Sequence, residues 1–493
     1  PDIDLDIEHD RREEVIQHVY AKYGRRRAAM VANIIRYRVR SAVRDVGKVL
    51  GLSRTDLETT TRLLRHRDDV LKPELLCEAG LEQDSPATHQ LCSLASQLLD
   101  FPRHLSIHPG GFLLGQRPVD EIVPIEPATM EARTVIQWDK YDVDNLALFK
   151  VDLLGLGALT CIHHAFDLLS EHKGISLEIA TVPAEDEDTY EMVSKGDTIG
   201  VFQCESAGAR RTLRKLKARN IRDLAVANAF FKPGPATGGM APTFVRRYRG
   251  EEAVRFLHPA LEPILGPTQG VLLFQEQILR IAWEIAGLSW TQADGLRKGM
   301  SKFQSREMAA LESAFVNGCM RPKPEGPAFT DEQARTLWEQ VSAFAGYGFN
   351  QGHATAYGDV SYRSGFLQAH YPAEFLCARL AGRGGFHHPA IYMAEARRLG
   401  IAVRPPHVNA SDRSFTLAQQ GLTTLWMGLG QVRNLRRKSV RAIVSERSKA
   451  LFTGLPDLLA RVHLQEKEIN HLIRCGALDG LGQSRAQMLV EAG

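Results

Sequence analysis

The first seven residues, Pro1-Asp2-Ile3-Asp4-Leu5-Asp6-Ile7, alternate acid and aliphatic with a period of two, and no other stretch constrains the chain as much. Period two marks a β-strand with one face against a core. The pattern predicts Ile3, Leu5 and Ile7 turned to a core and Asp2, Asp4 and Asp6 together on the opposite face. Three carboxylates in file repel one another, so the arrangement needs open water or a cation among them. Hard divalent ions such as Mg²⁺ take carboxylate oxygens alongside substrate phosphates, and two such ions about 3.5–4 Å apart can clamp both ends of a phosphoryl transfer. On spacing alone, an acidic edge strand fits as well.

A second acidic stretch bears on that choice. Leu148-Phe149-Lys150-Val151-Asp152-Leu153-Leu154-Gly155-Leu156-Gly157 reads as a buried strand running into a glycine turn. It carries one Asp in an otherwise apolar run, and a buried carboxylate must be paired or bind metal. Lys150, two residues earlier, shares a strand face with Asp152. The pair reads either as a structural ion pair or as a ligand set for a polyanionic substrate.

Together, Pro1 to Asp6 followed by Arg12, and Lys150-Val151-Asp152-Leu153-Leu154-Gly155-Leu156, resemble the bacterial family C DNA polymerases, the DNA polymerase III alpha subunits and their error-prone DnaE-type relatives. The resemblance covers nearly the whole chain. It implies an α+β multidomain polymerase core with a nucleotidyltransferase palm of the polymerase beta type and mostly helical thumb and fingers. The implied boundaries are palm 1–32, thumb 33–102, second palm segment 103–157, fingers 158–405 and a helix-hairpin-helix-like region 406–493. The implied catalytic and metal-binding triad is Asp2, Asp4 and Asp152, holding two Mg²⁺ ions.

Further stretches carry the same resemblance. Arg103 to Gly111 (RHLSIHPGG) has a glycine pair that lets backbone approach a ligand closely, with Ile107 where the family usually has Lys. Phe231-Lys232-Pro233-Gly234-Pro235 is a rigid turn, with Lys232 where Arg is usual. Phe274-Gln275-Glu276-Gln277 leads toward Arg297 and Lys298, and Phe344 to Tyr357 (FAGYGFNQGHATAY) resembles the fingers motif, with Gln351 and Gly352 where Lys and Ser are common. The resemblance implies that Arg12, Arg103, His108, Lys150, Lys232, Arg297, Lys298 and His353 contact the dNTP or its phosphates.

Net charge is only +3 over 493 residues, so nucleic-acid binding has to be read from clusters. Between residues 11 and 50 there are eleven Lys/Arg against three Asp/Glu. Arg36, Arg38 and Arg40 belong to this patch, the usual footprint of phosphate-backbone contact. A second patch surrounds Arg210, Arg211 and Arg214. A third, with Arg433 and Arg437, lies in the stretch from Gly428 to Arg447 that resembles the helix-hairpin-helix region. There Asn434 and Arg436 occupy positions where hairpin glycines are expected. Asn tolerates left-handed backbone; Arg does so poorly.

The pattern predicts a helix over 11–24 closed by Gly24, helix again over 28–51 with a break at Gly47, a helical bundle over 53–103, strands over 103–157, mostly helix over 158–380 and a linker at 404–412. Seven scattered cysteines without a CxxC pair fit a reducing cytoplasm. No apolar run reaches membrane-spanning length. The start at Pro inside a strand suggests a piece of a longer polypeptide.

The function so read is template-directed DNA polymerisation. Its partners are primer-template DNA and dNTPs, with sliding clamp and other replisome or translesion subunits reached through regions outside this chain. A metal-dependent nuclease or phosphodiesterase is the alternative from the same carboxylates, and a non-catalytic DNA-binding remnant is the alternative from the motif departures. Val135 to Lys140 and Val403 to Asp412 look closer to the error-prone relatives, Phe344 to Asn350 to the replicative ones.

Overall fold

The computed structural model describes residues 3–64, 73–78, 80–82, 85–230, 240–298, 305–344, 348–382, 384–418 and 424–492. Backbone contacts divide the chain at one place, between Leu156 and Gly157.

The first unit is built on a mixed six-stranded sheet, order β1-β6-β3-β2-β5-β4. Its elements are β1 (Ile3–Glu8), α1 (Arg12–Tyr23), β2 (Ala28–Arg36), α2 (Val39–Val49), α3 (Arg54–Leu63), α4 (Pro73–Glu78), α5 (Pro86–Leu98), β3 (Pro102–Leu114), β4 (Ile125–Pro127), β5 (Thr134–Ile136), α6 (Lys140–Asn145) and β6 (Lys150–Leu156). Helix α1 buries Ile16 and Tyr20 against Met30, Phe112, Val151 and Leu153 of the sheet. Gly24 ends it at φ +76°, where a side chain would be strained.

Three expectations change here. Residues 28–36 form a strand. Ala28 to Ala32 are buried on both faces between β3 and β5, so the run is continuously apolar, and periodicity cannot separate such a strand from a buried helix. Gly47 does not break a helix: α2 runs through it, and a Cβ there would stand 2.4 Å from Leu57 Cδ2, so glycine is what lets α2 and α3 approach. Ile3 and Leu5 are exposed, 40% and 47%, because β1 is an edge strand whose apolar face is covered only near Ile7.

The second unit comprises α7 (Gly157–Lys173), α8 (Glu187–Ser194), α9 (Ala207–Leu216), α10 (Ile221–Phe230), α11 (Met240–Tyr248), α12 (Glu262–Leu265), α13 (Gln275–Arg280), α14 (Trp290–Lys298), α15 (Ser305–Met320), α16 (Asp331–Phe344), α17 (Gln351–His370), α18 (Pro372–Ala381) and α19 (Pro389–Arg398). There follow β7 (Ala402–Arg404), β8 (Thr416–Leu417) and β9 (Thr424–Trp426), then α20 (Arg437–Lys449), α21 (Leu455–Arg461), α22 (Glu466–Arg474) and α23 (Arg485–Ala492). One core joins α7, α10, α17 and α18. A second gathers α12 to α16, and a third the C-terminal helices.

Residues 404–412 are not a linker. Val408 is fully buried in the C-terminal core and its N–H donates to the Ala477 carbonyl. Asn409 exchanges two hydrogen bonds with the Phe452 backbone, both at 2.8 Å. The Pro and Asn residues that read as linker punctuation instead shape a docked turn.

Candidate active site and nucleic-acid contacts

The two acidic stretches are neighbours in the sheet. β1 and β6 pair in parallel with Asp4 opposite Asp152, and on the other side of β6, Asp152 is opposite Gly111 of β3. Register partners share a sheet face and neighbouring strands lie about 4.8 Å apart, so Asp4, Asp152 and Gly111 form one row. Asp6, two residues on, shares the face with Asp4. Asp2 lies outside the described residues.

The two oxygens of Asp152 have different surroundings. Oδ2 accepts from Lys150 Nζ at 2.5 Å. Oδ1 is buried and has no hydrogen-bond partner, with His108 Nδ1 at 3.6 Å. That nitrogen accepts from the backbone N–H groups of Gly110 (3.2 Å) and Gly111 (2.6 Å), so it carries no proton. Burial lowers the His108 pKa, against the pull of the Asp152 charge. A buried carboxylate oxygen without a donor is costly, and here it lies in a row with a second carboxylate. A Cβ at Gly111 would stand 3.3 Å from Oδ1 and 2.8 Å from His108 Nδ1, so glycine keeps the space in front of Asp152 open. An orphaned oxygen, an acidic neighbour and this space fit a hard divalent cation.

Of the other expected nucleotide contacts, Lys150 and His108 join this row. Arg12 lies beside it, with Nε donating to the Leu153 carbonyl at 2.7 Å and Nη2 to the Pro109 carbonyl. Arg103 does not join. It sits at the start of β3, eight residues before Gly111, and pairs with Asp45 of α2 at 2.9 Å. Lys232 lies outside the described residues, as does the side chain of Lys298.

Arg297 and His353 belong to the second unit, where a separate cluster forms. Phe274 and Phe349 make an isolated parallel bridge, which brings the start of α13 to the start of α17. Asn350 caps α17 by accepting from the His353 N–H at 2.7 Å, and Glu276 Oε2 accepts from the Gln351 N–H at 2.9 Å. Arg297 donates to Gln275 Oε1 at 3.1 Å and to Asp294 Oδ1 at 2.9 Å. The His353 ring lies 3.8 Å from that of Tyr357 and 5.4 Å from that of Phe349. Sequence reading missed Asn350 and Glu276 as the pair that fixes this turn. The legible signal was an Asn three residues before His353 at a helix start.

The basic patches divide by surroundings. Arg36 and Arg38 are exposed and touch Asp100, the first through its carbonyl and the second through its carboxylate; Arg40 is half-buried. On α9, Arg211 and Arg214 are exposed, whereas Arg210 donates to the Gly196 carbonyl at 2.7 Å and props the loop before the helix. Arg433 and Arg437 are exposed. Asn434 takes the left-handed conformation at φ +59°. Arg436 does not need it, having φ −71° and ψ 147°. Its backbone N–H and its Nε reach Glu468 Oε1 at 2.9 and 3.0 Å, and its Nη2 reaches Oε2 at 2.6 Å. Burial pushes the Glu468 carboxyl up, but the hydrogen bonds from Arg436 and from the Gln465 N–H outweigh it and bring the pKa to about 2.

Among the described residues one other group could hold a metal: Asp186, Asp188 and His370, with ligand atoms within 4.8 Å of one another. Asp186 Oδ2 already accepts from His370 Nε2 and from the N–H and hydroxyl of Thr189. It is the N-cap of α8. No described helix is long and apolar enough to cross a membrane.

Comparison with known proteins divides the chain where its backbone contacts do. Residues 1–155 match the family model described as bacterial DNA polymerase III alpha NTPase domain, and residues 158–323 that of the finger domain of the same subunit. Residues 400–488 match a helix-hairpin-helix motif. Proteins named error-prone DNA polymerase are similar along the chain. That of Anaeromyxobacter dehalogenans (strain 2CP-1) is 41% identical over 98% of this chain and 44% of its own length. That of Mycobacterium tuberculosis (strain H37Rv) is 41% identical over 100% and 44%, and that of Pseudomonas fluorescens 40% over 98% and 47%. The chain belongs to the bacterial DNA polymerase III alpha-subunit family, the family C DNA polymerases. It spans less than half the length of these curated relatives.

Proposed function

We propose that this chain carries the nucleotidyl-transfer site and the DNA-tracking surfaces of a template-directed DNA polymerase. The observation that carries the reading is the Asp4–Asp152 register with the orphaned Asp152 Oδ1 facing Gly111. In this reading Asp152 and Asp4, with Asp2, hold two Mg²⁺ ions. Such ions, when bound, make the primer 3′-hydroxyl a better nucleophile and neutralise the triphosphate and departing pyrophosphate.

The chain's own residues do the rest. Lys150 holds Asp152 Oδ2, which orients Oδ1 toward the row. His108 folds the Gly110-Gly111 backbone back and keeps it clear of Asp152. Arg297, aligned by Gln275 and Asp294, and His353, set by Asn350, suit the triphosphate of the incoming nucleotide, because transfer rests on positioning and charge neutralisation. The exposed Arg211, Arg214, Arg433 and Arg437 suit the DNA backbone, a contact without sequence preference. In the same reading the helices α2 to α5, which lie in sequence between β2 and β3, serve as the thumb. The names of the relatives favour an error-prone role.

The test is primer extension by a polypeptide containing this chain. Asp4→Asn and Asp152→Asn are expected to abolish extension and leave duplex binding intact. Extension within tenfold of the parent would refute the assignment.

A further inference from the structure

β3 loses its pairing with β2 over four residues. Its pairing with β2 passes from Ile107 opposite Ala32 directly to Phe112 opposite Met30, so His108, Pro109, Gly110 and Gly111 all face Val31 alone. An excursion of this size takes backbone groups out of the ladder, and those groups need partners elsewhere. Pro109 has no N–H, and the N–H groups of Gly110 and Gly111 both use His108 Nδ1. On the other side, the β3–β6 ladder stops at Gly111 opposite Asp152, and Leu153 lies one residue beyond it.

One side chain serves both places. Arg12, at the first position of α1, donates to the Leu153 carbonyl from Nε and to the Pro109 carbonyl from Nη2. The first acceptor follows Asp152 in β6, and the second lies inside the excursion, just before Gly110 and Gly111. Gly155 packs beside it: a Cβ there would stand at ordinary contact, 3.4 Å, from Arg12 Cδ but only 2.7 Å from His9 Nδ1. The planar guanidinium holds its donors in a fixed fork, which an ammonium does not. That fork is what would engage a phosphate bidentately, and here its Nε–Nη2 edge is committed to two backbone carbonyls.

We infer that Arg12 is a positioning residue, a clasp between β6 and the β3 excursion that keeps Asp152 aligned with Asp4 and Gly111, and not a contact to the nucleotide. The effect on the carboxylates rests on reading them as a metal-binding row; the clasp does not.

Two measurements on residues 1–493 separate these levels. The first is amide hydrogen exchange for wild type, Arg12→Ala and Arg12→Lys. The expected result is exchange at least tenfold faster in peptides covering 108–113 and 151–156 in Arg12→Ala, little recovery in Arg12→Lys, and no change in β4 and β5. Unchanged exchange at 108–113 and 151–156 would overturn the clasp. Acceleration across the whole first unit would overturn it too, showing a general fold-stabilising residue. The second is Mn²⁺ binding by electron paramagnetic resonance, with affinity expected to fall at least tenfold in Arg12→Ala while duplex affinity stays within twofold. Unchanged Mn²⁺ binding beside faster exchange would overturn the positioning role. A tenfold loss of duplex affinity with Mn²⁺ binding intact would make Arg12 a nucleic-acid contact. Wild type that binds no Mn²⁺ would remove the metal reading and, with it, the proposed effect on the carboxylates, and the exchange result would still decide the clasp.

Discussion

Glu468→Gln should remove a defined, pH-dependent part of the stability of the C-terminal helical region. Glu468 is 1% exposed and its carboxylate takes hydrogen bonds from Arg436 and from the Gln465 N–H. These hold its pKa at about 2 against an ordinary 4.5, a difference worth about 3 kcal/mol when the group is ionised. The folded pKa is the lower one, so the contribution is complete above pH 4.5 and is lost as pH falls from there toward 2. By linkage about 2 kcal/mol is gone by pH 3. The assay is native-state hydrogen exchange of the α20 and α22 amides at pH 7 and pH 3, which reads local opening free energy in a multi-unit protein. Gln has no carboxyl to titrate. The pH-dependent loss should therefore be smaller by about 2 kcal/mol in Glu468→Gln than in wild type, and the variant should already be weaker at pH 7. Equal pH dependence in the two proteins would refute the reasoning.

Other outcomes follow from the same geometry. Alanine at Arg211, Arg214 and Lys215 together should lower the log–log salt slope of duplex binding by up to about 3, at about 0.9 per phosphate contact; Arg210→Ala should destabilise the Gly196 loop and leave the slope nearly unchanged. In extension assays on a polypeptide containing the chain, Arg297→Ala should raise the KM for dNTP more than it weakens DNA binding, and the reverse order would assign Arg297 to the duplex. Gly111→Ala should cut Mn²⁺ affinity at least tenfold, because its Cβ meets His108 Nδ1 at 2.8 Å and Asp152 Oδ1 at 3.3 Å; unchanged affinity would show that the space before Asp152 is not the ligand site.

Where the governing interactions were local, they were legible in the sequence. Acid–aliphatic alternation marked β1, the Lys150–Asp152 spacing put both side chains on one face, and Gly24 marked the end of α1. Asn434 was legible as a left-handed residue for the same reason. What failed depended on partners far along the chain. Ala28 to Arg36 became a strand because β3 and β5 flank it, and nothing in its own apolar run distinguishes that from a helix. Ile3 and Leu5 were placed in a core by alternation alone, which does not reveal that β1 is an edge. Arg436 looked incompatible with its turn until Glu468, thirty-two residues on, supplied a reason for an arginine in extended backbone. The pairing of Arg103 with Asp45, fifty-eight residues back, was equally out of reach of a local motif. Likewise, the row Asp4–Asp152–Gly111 is a matter of register between three strands, which spacing within any one of them cannot fix.

The most direct test of the central claim is anomalous diffraction from crystals of the protein soaked in Mn²⁺. The account predicts a peak bound at about 2.1 Å by Asp152 Oδ1 and shared with Asp4, lost in Asp152→Asn. A protein whose anomalous signal lies elsewhere, at Asp186 and His370 for instance, with Asp152 held by Lys150 alone, would contradict it.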